Sequence, residues 1–395
     1  MTTIFDSIFS SRTGLSDVGV SVDPFTGKTS THIPVIVRHP ASPVVTRETF
    51  FESVRRQMIE GTAGPSISQH LNDLKDTFNV GLAHHGGGYV MMVRFQSSTR
   101  YNHIFLAKSG DGITWAHNPR LLDLPNLPDA PEPEGVSKSG YNIPADKKWH
   151  KGIFYDPRIT QMEDGNYFIA LAVDYDTVEP VGQPYKNICD NVLYRTRDFE
   201  KFEFVTTISG HTRNCVLFPR QIDGYYWCAG RPNTEKRVHT ILMRSKDLKT
   251  WEHMDPIFAG GHGWLIYAGP GFPPFEAEDY WVFGVHGVET KGTYQVIYRA
   301  GVCLLDKKTM KLVGDIVPII HPEQQYELDG SVDDIIFQTG TLFSDGKHYG
   351  VKSRDTKVAI YYGAADTVVG VGITTVGKLI DAALGKYNPL RVFSA

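Results

Sequence analysis

The sequence predicts an all-β protein, a five-bladed β-propeller with an N-terminal helical extension and a short C-terminal helix. Its composition favours strands and tight turns, because 12% of the 395 residues are aromatic and the chain contains 38 glycines and 23 prolines. A second observation is a repeated segment, in which a strand leads into a polar turn with an aspartate and then an aromatic or apolar return. Consecutive copies lie about 50 to 90 residues apart, a spacing that indicates propeller blades.

Four copies of this segment define four blades. They lie at Ala107–Trp115, Tyr194–Phe202, Met243–Trp251 and, in a looser form, Val302–Met310. A last set of apolar strands near Ile360–Ile373 supplies a fifth blade, and a proline-rich insertion around residues 125–144 accounts for the longest interval. Because propellers run long as single units, we expect one catalytic domain over residues 76–375.

The flanking segments, residues 1–75 and 376–395, are expected to be helical. Within Val45–Glu60 four apolar side chains recur at helical spacing, and Thr46 and Thr49 are available as caps. A second helix is predicted at Ser66–Asp76 and a shorter one at Val376–Leu384. These helices either pack on the flank of the propeller or form a subunit contact in a homo-oligomer.

Charge and cysteine usage narrow the class of partner. A net charge of −4 provides no basic footprint for nucleic acid or an anionic membrane, so a small neutral or locally bound anionic ligand is expected. The four cysteines lack C-x-x-C spacing, which favours reduced structural thiols over a metal site. The start of the chain lacks a signal-peptide pattern and no apolar run approaches the ~18 residues that span a bilayer, which predicts a cytoplasmic protein.

The segment Phe154–Thr160 contains the main candidate for chemistry. Asp156 precedes Pro157, which favours an extended backbone for the aspartate and fixes its carboxylate at a strand end or tight turn. A structural alternative is a turn in which Asp156 pairs with Arg158.

Six short motifs occur in the order seen in glycoside hydrolase family 130, the β-mannoside phosphorylases and β-mannosidases. They are Asp156–Thr160, Asn214–Pro219, Gly269–Pro274, His286–Val288, Tyr326–Glu327 and Tyr361–Thr367. The chain resembles this family from about residue 75 to residue 372. The resemblance implies an inverting enzyme on a propeller of five blades, with Asp156 as the general acid. In related phosphorylases the proton passes through a mannose hydroxyl.

The resemblance also implies a phosphate site at Arg213, Asn214, Arg231 and His286. Guanidinium groups match phosphate oxygens, and a phosphorylase needs a cationic cradle because its nucleophile arrives as an anion. Salt bridges on the surface or between blades are the structural alternative for the arginines. Related phosphorylases usually carry a lysine where this chain has Tyr267, whose hydroxyl can donate a hydrogen bond but brings no charge.

For the sugar, the expected binding residues are Asn79, Arg94, Ser98, Tyr155 and Asp366. The first three lie on the predicted strands of the first blade, and Asp366 matches the acid that binds mannose in the family. An acid that accepts two sugar hydroxyls, with an aromatic ring under the apolar face of the sugar, is suited to a mannose pocket. No metal and no cofactor are expected, and inorganic phosphate is the implied co-substrate.

Three functions follow from these residues. The preferred one is an inverting β-mannoside phosphorylase, which converts a β-mannoside and phosphate into mannose 1-phosphate and a shortened sugar. The first alternative is an inverting β-mannosidase, supported by Tyr267 and by Glu276 and Asp279 as nearby acids. The second is a non-catalytic mannoside-binding propeller. Linkage, aglycone and oligomeric state do not follow from the sequence.

Overall fold

Five four- or five-stranded antiparallel sheets form the blades of a ring, which confirms the predicted propeller. The computed structural model describes residues 8–9, 19–22, 29–32, 35–59, 74–98, 102–115, 117–122, 124, 154–174, 189–208, 212–232, 239–261, 263–292 and 295–386. The insertion around residues 125–144 lies outside these ranges. No helix in the described ranges is long and apolar enough to cross a membrane.

The strands and helix that the structure describes before blade 1 are bounded as follows. These are β1 (Gly19–Val22), β2 (Thr29–His32), β3 (Val37–Arg38) and α1 (Arg47–Ile59). Blade 1 consists of β4 (Leu74–His85), β5 (Gly88–Ser97), β6 (Asn102–Ser109) and β7 (His117–Leu121). Blade 2 consists of β8 (Phe154–Gln161), β9 (Tyr167–Asp174), β10 (Cys189–Thr196) and β11 (Glu203–Ile208).

The remaining blades follow in chain order. Blade 3 consists of β12 (Thr212–Leu217), β13 (Tyr226–Pro232), β14 (His239–Ser245) and β15 (Glu252–Ala259). A 3₁₀ turn (Gly263–Leu265) leads into blade 4, with β16 (Tyr267–Pro270), β17 (Phe275–Ala277), β18 (Tyr280–Lys291), β19 (Gln295–Asp306) and β20 (Leu312–Ile320). After α2 (Gln325–Leu328), the strands β21 (Ile336–Phe343), β22 (Lys357–Ala364) and β23 (Val368–Thr375) belong to blade 5, and α3 (Val376–Ala383) ends the described chain.

The ring is closed by strands from opposite ends of the chain. Strand β3 pairs antiparallel with β23, with Arg38 opposite Gly372 and Val37 opposite Ile373. Blade 5 therefore takes its outermost strand from the N-terminal segment, within residues 1–75, which the sequence assigned to an extension outside the propeller.

The predicted aspartate turn recurs in blades 1 to 4, where it joins the last two strands of each blade. In each copy one carboxylate oxygen accepts hydrogen bonds from the backbone N–H groups two and three residues later, at 2.7–3.0 Å. The aspartates are Asp111, Asp198, Asp247 and Asp306. In blades 1 and 3 the indole N–H of the following tryptophan donates back to the turn. The turn is thus stabilised locally, which explains its recurrence in sequence.

Two of the three predicted helices are present. Helix α1 begins after Thr46, whose side chain accepts from the N–H of Thr49 while the Thr49 side chain accepts from the N–H of Thr46. Its Phe50 packs on Phe95 and Phe105 of blade 1, at ring-centroid distances of 4.3 and 5.0 Å, so α1 lies against the flank of the propeller. Helix α3 is also confirmed, with Thr375 as its N-cap.

The helix predicted at Ser66–Asp76 is wrong at its C-terminal end, because residues 74–76 begin β4. Leu74 and Asp76 are both buried there, and Asp76 accepts a hydrogen bond from Ser331 of the blade 5 side. Pairing with β5 thus outweighs a helical spacing that rested on few apolar residues. Residues 66–73 lie outside the described part of the chain.

The hydrophobic core is divided among the interfaces between neighbouring blades. Each of five apolar clusters in the described chain joins residues of two adjacent blades, including the last and the first. Helix α1 extends the cluster between blades 5 and 1, and α3 extends the one between blades 4 and 5. The four cysteines are buried and free, as predicted. The blades pack against one another through their faces, and the first strand of each blade lies next to the centre of the ring.

Candidate active site

Three of the first strands contain a β-bulge with one polar residue in a left-handed backbone conformation. These residues are Asn79 in β4, Asp156 in β8 and Asn214 in β12, with φ values of 48°, 54° and 59°. The first strands of adjacent blades contact one another, so the three bulges belong to the inner wall of the ring. Bulges re-aim side chains, and asparagine and aspartate tolerate positive φ best among non-glycine residues.

The backbone of Asp156 is therefore not extended, and the expectation drawn from Pro157 was wrong. Proline excludes the right-handed helical region for the residue before it, but the bulge offers the left-handed region instead. Register is lost between Tyr155 and Arg158, so Pro157 lies where the ladder requires no N–H donor.

The carboxylate of Asp156 contacts two residues that the sequence assigned to the sugar. Its Oδ1 accepts hydrogen bonds from Nδ2 of Asn79 and from a terminal nitrogen of Arg94, each at 2.8 Å, and the aspartate is only 7% exposed. The guanidinium of Arg94 lies over the rings of Phe78 and Tyr155, at 4.3 and 5.0 Å from their centroids. Because both donors reach Oδ1, a transferable proton on this carboxyl would reside on Oδ2.

Arg158 does not pair with the Asp156 carboxylate, contrary to the alternative considered from the sequence. It donates to the backbone carbonyl of Asp156 and, through Nε, to the carbonyl of Gly271 in blade 4, each at 3.0 Å. The guanidinium is fully buried beside the ring of Phe337 in blade 5, and burial lowers the pKa of Arg158. Its Nη2 and the Oδ1 of Asn79 are buried without a hydrogen-bond partner among the described residues. Both atoms belong to residues that are hydrogen-bonded to Asp156.

Asp366 lies in the loop between β22 and β23, where it and Ala365 both have positive φ. Burial raises the pKa of Asp366 to about 6, and the nearby carboxylates of Asp156 and Asp76 add to this shift while Arg94 opposes it. The structure thus brings Asn79, Arg94, Asp156 and Asp366 into one group. Ser98 lies in the exposed turn that follows β5.

A second group, the basic cluster, is defined by Arg213, Arg231 and His286. Arg213 and Arg231 are directly opposite each other on β12 and β13, so their side chains project from the same face of blade 3. Asn214 follows Arg213 at the bulge and is buried. Their two positive charges therefore lie on one face of the sheet, an arrangement that suits an anionic ligand.

The third member, His286, lies on β18 opposite Gly269 of β16. A Cβ atom on Gly269 would lie 2.6 Å from Cε1 of His286, so glycine is needed for the His286 ring to fit, and it would lie at contact distance, 3.4 Å, from Cδ of Arg231. Burial lowers the pKa of His286 well below its usual value, and the positive charges of Arg231 and Arg158 lower it further. Tyr267 is two residues before Gly269 on the same strand face and is 37% exposed.

Side chains that the sequence analysis missed hold the bulges in place. The amide of Asn191 on β10 donates to the carbonyl of Thr212 at 2.7 Å and accepts from the N–H of Cys215 at 3.2 Å, on either side of the bulge in β12. The hydroxyl of Thr339 accepts from the N–H of Val80 at 2.8 Å, next to the bulge in β4. The only sequence signal for these roles is a polar residue inside an apolar strand.

Glu276, a candidate base for hydrolysis, is held elsewhere. Its carboxylate accepts two hydrogen bonds from Arg220, at 2.7 and 2.9 Å, and lies 2.7 Å from Nζ of Lys307. These cations lower the pKa of Glu276 despite its burial. Asp279 is exposed in the turn before β18.

Known proteins resemble this chain in sequence and in fold. Residues 36–384 match the profile of glycoside hydrolase family 130, described as beta-1,4-mannooligosaccharide phosphorylase. A beta-1,4-mannooligosaccharide phosphorylase from Ruminococcus albus is 27% identical over 306 residues, which cover 75% of this chain and 80% of that protein.

Two solved structures have the same fold. The beta-1,2-mannobiose phosphorylase from Listeria innocua, in complex with beta-1,2-mannobiose, aligns with a TM-score of 0.61 at 18% identity over 88% of this chain and 99% of that one. A structure described with family 130 glycoside hydrolases that target beta-1,2 mannosidic linkages in Candida mannan aligns with a TM-score of 0.59 at 19% identity, over 86% and 93% of the two chains. The chain belongs to glycoside hydrolase family 130, the phosphorylases and hydrolases that act on β-mannosides.

Proposed function

We propose that the protein is an inverting β-mannoside phosphorylase, which converts a β-linked mannoside and phosphate into mannose 1-phosphate and a shortened sugar. The observation that carries this proposal is the direct opposition of Arg213 and Arg231, with His286 beside Arg231. Such a cluster suits an anionic nucleophile. Hydrolysis would instead need a carboxylate that activates water. The related phosphorylase from Ruminococcus albus supports the same reaction class.

Each group of residues then has one task. Asp156 donates a proton towards the glycosidic oxygen, while Asn79 and Arg94 hold its Oδ1 and thereby orient Oδ2. Asp366, Ser98 and Tyr155 bind the mannose unit. The basic cluster, with Asn214 and the Tyr267 hydroxyl, holds phosphate in line with the anomeric carbon, so that attack is nearly intramolecular.

Arg158 connects the two groups. It is bonded to the backbone of Asp156, and its charge acts on His286. No cofactor takes part in the proposed reaction, and inorganic phosphate is the co-substrate.

A β-mannosidase of the same fold is the second candidate, and Tyr267 favours it because a neutral side chain stands where related phosphorylases carry a cation. Two observations oppose it. Glu276 is paired with Arg220 and Lys307, and Asp366, whose carboxyl interacts with those of Asp156 and Asp76, lies on the proposed sugar side. An inverting hydrolase needs a base on the opposite face of the sugar.

Product identity tests the proposal. The protein is incubated with β-1,4-mannobiose, β-1,2-mannobiose and β-1,4-mannosylglucose, with and without phosphate, and the products are identified by chromatography and ³¹P NMR. We expect α-mannose 1-phosphate, formed only when phosphate is present. Release of free mannose at the full rate without phosphate would replace the proposal with hydrolysis, and absence of turnover with binding of a mannoside would favour the non-catalytic propeller.

A further inference from the structure

The tautomer of His286 is fixed by its backbone neighbour. Nδ1 lies 2.9 Å from the carbonyl oxygen of Pro270. A carbonyl oxygen can only accept, so Nδ1 carries the proton of the ring. In the neutral imidazole Nε2 is consequently a hydrogen-bond acceptor.

The surroundings keep this ring neutral and place Nε2 on the side of the ring that faces Arg231. His286 is 1% exposed, and burial together with the charges of Arg231 and Arg158 lowers its pKa well below the usual value. Nε2 would lie 3.2 Å from a Cβ on Gly269, in the same space that the Arg231 side chain reaches. The structure thus places an acceptor nitrogen, on a buried ring, beside the partly buried side chain of Arg231.

We propose that Nε2 of His286 accepts a hydrogen bond from the hydroxyl of hydrogen phosphate. The site then prefers a tetrahedral dianion that has a hydroxyl group to a tetrahedral dianion that has none. The arginines donate to the unprotonated oxygens, and only the P–OH group can donate to Nε2. The site should therefore discriminate strongly against sulfate, which has the same shape and charge but no hydroxyl. This inference rests on the proposed phosphorolysis.

The proton count of the reaction is consistent with this role. An unprotonated phosphate oxygen forms the new C–O bond as the glycosidic C–O bond breaks, and the leaving oxygen takes the proton that Asp156 supplies. The product is first a phosphate monoester monoanion that retains the P–OH group. At neutral pH the monoester then loses this proton, since its second pKa is about 6, while Asp156 regains one from solvent. The resulting dianion has no hydroxyl for Nε2, so the site binds hydrogen phosphate in preference to the product.

The test compares three anions by calorimetry on the intact protein without mannoside, at mildly alkaline pH. The probes are phosphate, sulfate and fluorophosphate, in which fluorine replaces the hydroxyl. We expect sulfate and fluorophosphate to bind at least ~10-fold more weakly than phosphate, the scale of one hydrogen bond in a buried site. Because this comparison uses the wild-type protein, it does not depend on the folding of any variant.

Two variants locate the discrimination at Nε2. His286→Asn keeps an amide near Nδ1 but leaves no group near Nε2. The affinity for phosphate should therefore fall about tenfold, to near that for sulfate, while the affinity for sulfate stays unchanged. His286→Gln puts an amide near Nε2 that can donate or accept, so the ratio of phosphate to sulfate affinity should fall to within about threefold. Thermal unfolding checks that both variants are folded.

The contrary outcomes are separable. Equal binding of the three anions to the wild-type protein would overturn the role of Nε2 and leave phosphorolysis intact. If His286→Asn still discriminates between phosphate and sulfate, another residue makes the selection, and this result would also overturn the role of Nε2. If phosphate does not bind the wild-type protein at all, both this inference and the proposed function fail.

Discussion

At the scale of single residues, Asp156, Asn79 and Asn214 share a left-handed backbone conformation that the sequence did not indicate. A non-glycine residue with positive φ costs about 1–3 kcal/mol, and the three occur in the inner strands of three successive blades. Ladder register is interrupted at each of them. At these three positions the conformational cost falls where side chains leave the sheet towards the centre of the ring.

Replacing Asp156 with asparagine tests its role as the acid. Asparagine can still accept hydrogen bonds from Asn79 and Arg94 but has no transferable proton, so turnover should fall by about a hundredfold or more. Steady-state kinetics with a β-mannobiose measure this, and Asp279→Asn, which changes an exposed carboxylate in the same way, is the control. Activity of Asp156→Asn close to that of the wild type would remove Asp156 from the mechanism.

Adding a cation at Tyr267 separates phosphorolysis from hydrolysis. If phosphate lies over Gly269, Tyr267→Lys should strengthen its binding by on the order of 1 kcal/mol, which is a severalfold lower KM for phosphate with little change for the mannoside. Tyr267→Gln, which adds no charge, is the matched control. A KM for phosphate that is identical in all three proteins would indicate that this strand face does not contact the anion.

The carboxyl of Asp366 predicts a dependence of stability on pH. Its pKa in the folded protein is about 6, above the value of 3.8 for an ordinary aspartate. At a pH between these two values the folded state therefore holds a proton that the unfolded state has lost. Stability from this group is therefore complete below pH ~4 and is lost as the pH rises through about 6.

Asp366→Asn removes this titration. The free energy of unfolding of the variant minus that of the wild type, measured in urea, should increase by ~2 kcal/mol between pH 4 and pH 7. Turnover should fall, because a group that binds the sugar is lost. Asp355→Asn, at an exposed turn, should show no such trend. A difference between Asp366→Asn and the wild type that is constant with pH would contradict the raised pKa.

At the scale of elements, the bulges depend on side chains from other strands. Asn191 spans the bulge in β12 from β10 of the preceding blade, bonding both the carbonyl before Arg213 and the N–H after Asn214. Asn191→Ala should leave two buried backbone groups unpaired, which costs ~2–4 kcal/mol of stability, and should raise the KM for phosphate more than that for the mannoside.

The control for this change is Asn166→Ala, which removes an amide from an outer turn of blade 2, where it contacts Asp164 and Arg197. It should leave both KM values unaltered. If Asn191→Ala lowered stability but raised the two KM values equally, Asn191 would support the fold without positioning the basic cluster.

The elements also determine how much the sequence could predict. The aspartate turns were predictable because donors and acceptor lie within three residues of each other. Motifs singled out the candidate residues on the inner strands, but they did not indicate the bulges, because register depends on strands elsewhere in the chain. Strand β3 is two residues long, and nothing local distinguishes it from a loop; only its pairing with β23 makes it part of a blade.

At the scale of the whole molecule, one buried ion pair reinforces the closure of the ring. Arg38 of β3 donates to both carboxylate oxygens of Glu327 in α2, at 2.7 and 2.9 Å, and the hydroxyl of Tyr362 in β22 donates to the same carboxylate at 2.8 Å. The Glu327 side chain is fully buried. Breaking this pair from one side leaves an uncompensated charge in the interior.

Arg38→Met should accordingly destabilise the protein by ~3–5 kcal/mol, measured by urea unfolding. Glu323→Gln removes only the exposed partner of Arg38 and should cost less than ~1 kcal/mol. Similar small effects of the two changes would mean that Arg38 does not contribute to closure through Glu327.

The pairing of β3 with β23 also determines the order of events during synthesis. Val37 and its partner Ile373 are 336 positions apart (373 − 37). At ~5–20 residues per second the ribosome needs about 20 to 70 s to make the second after the first. Throughout that interval the nascent chain can assemble blades in order from the N-terminus, but β3, the outermost strand of the last blade, lacks its partner until β23 is made. Any product of premature termination that ends before residue 373 therefore retains unpaired sheet edges, which chaperones and proteases recognise.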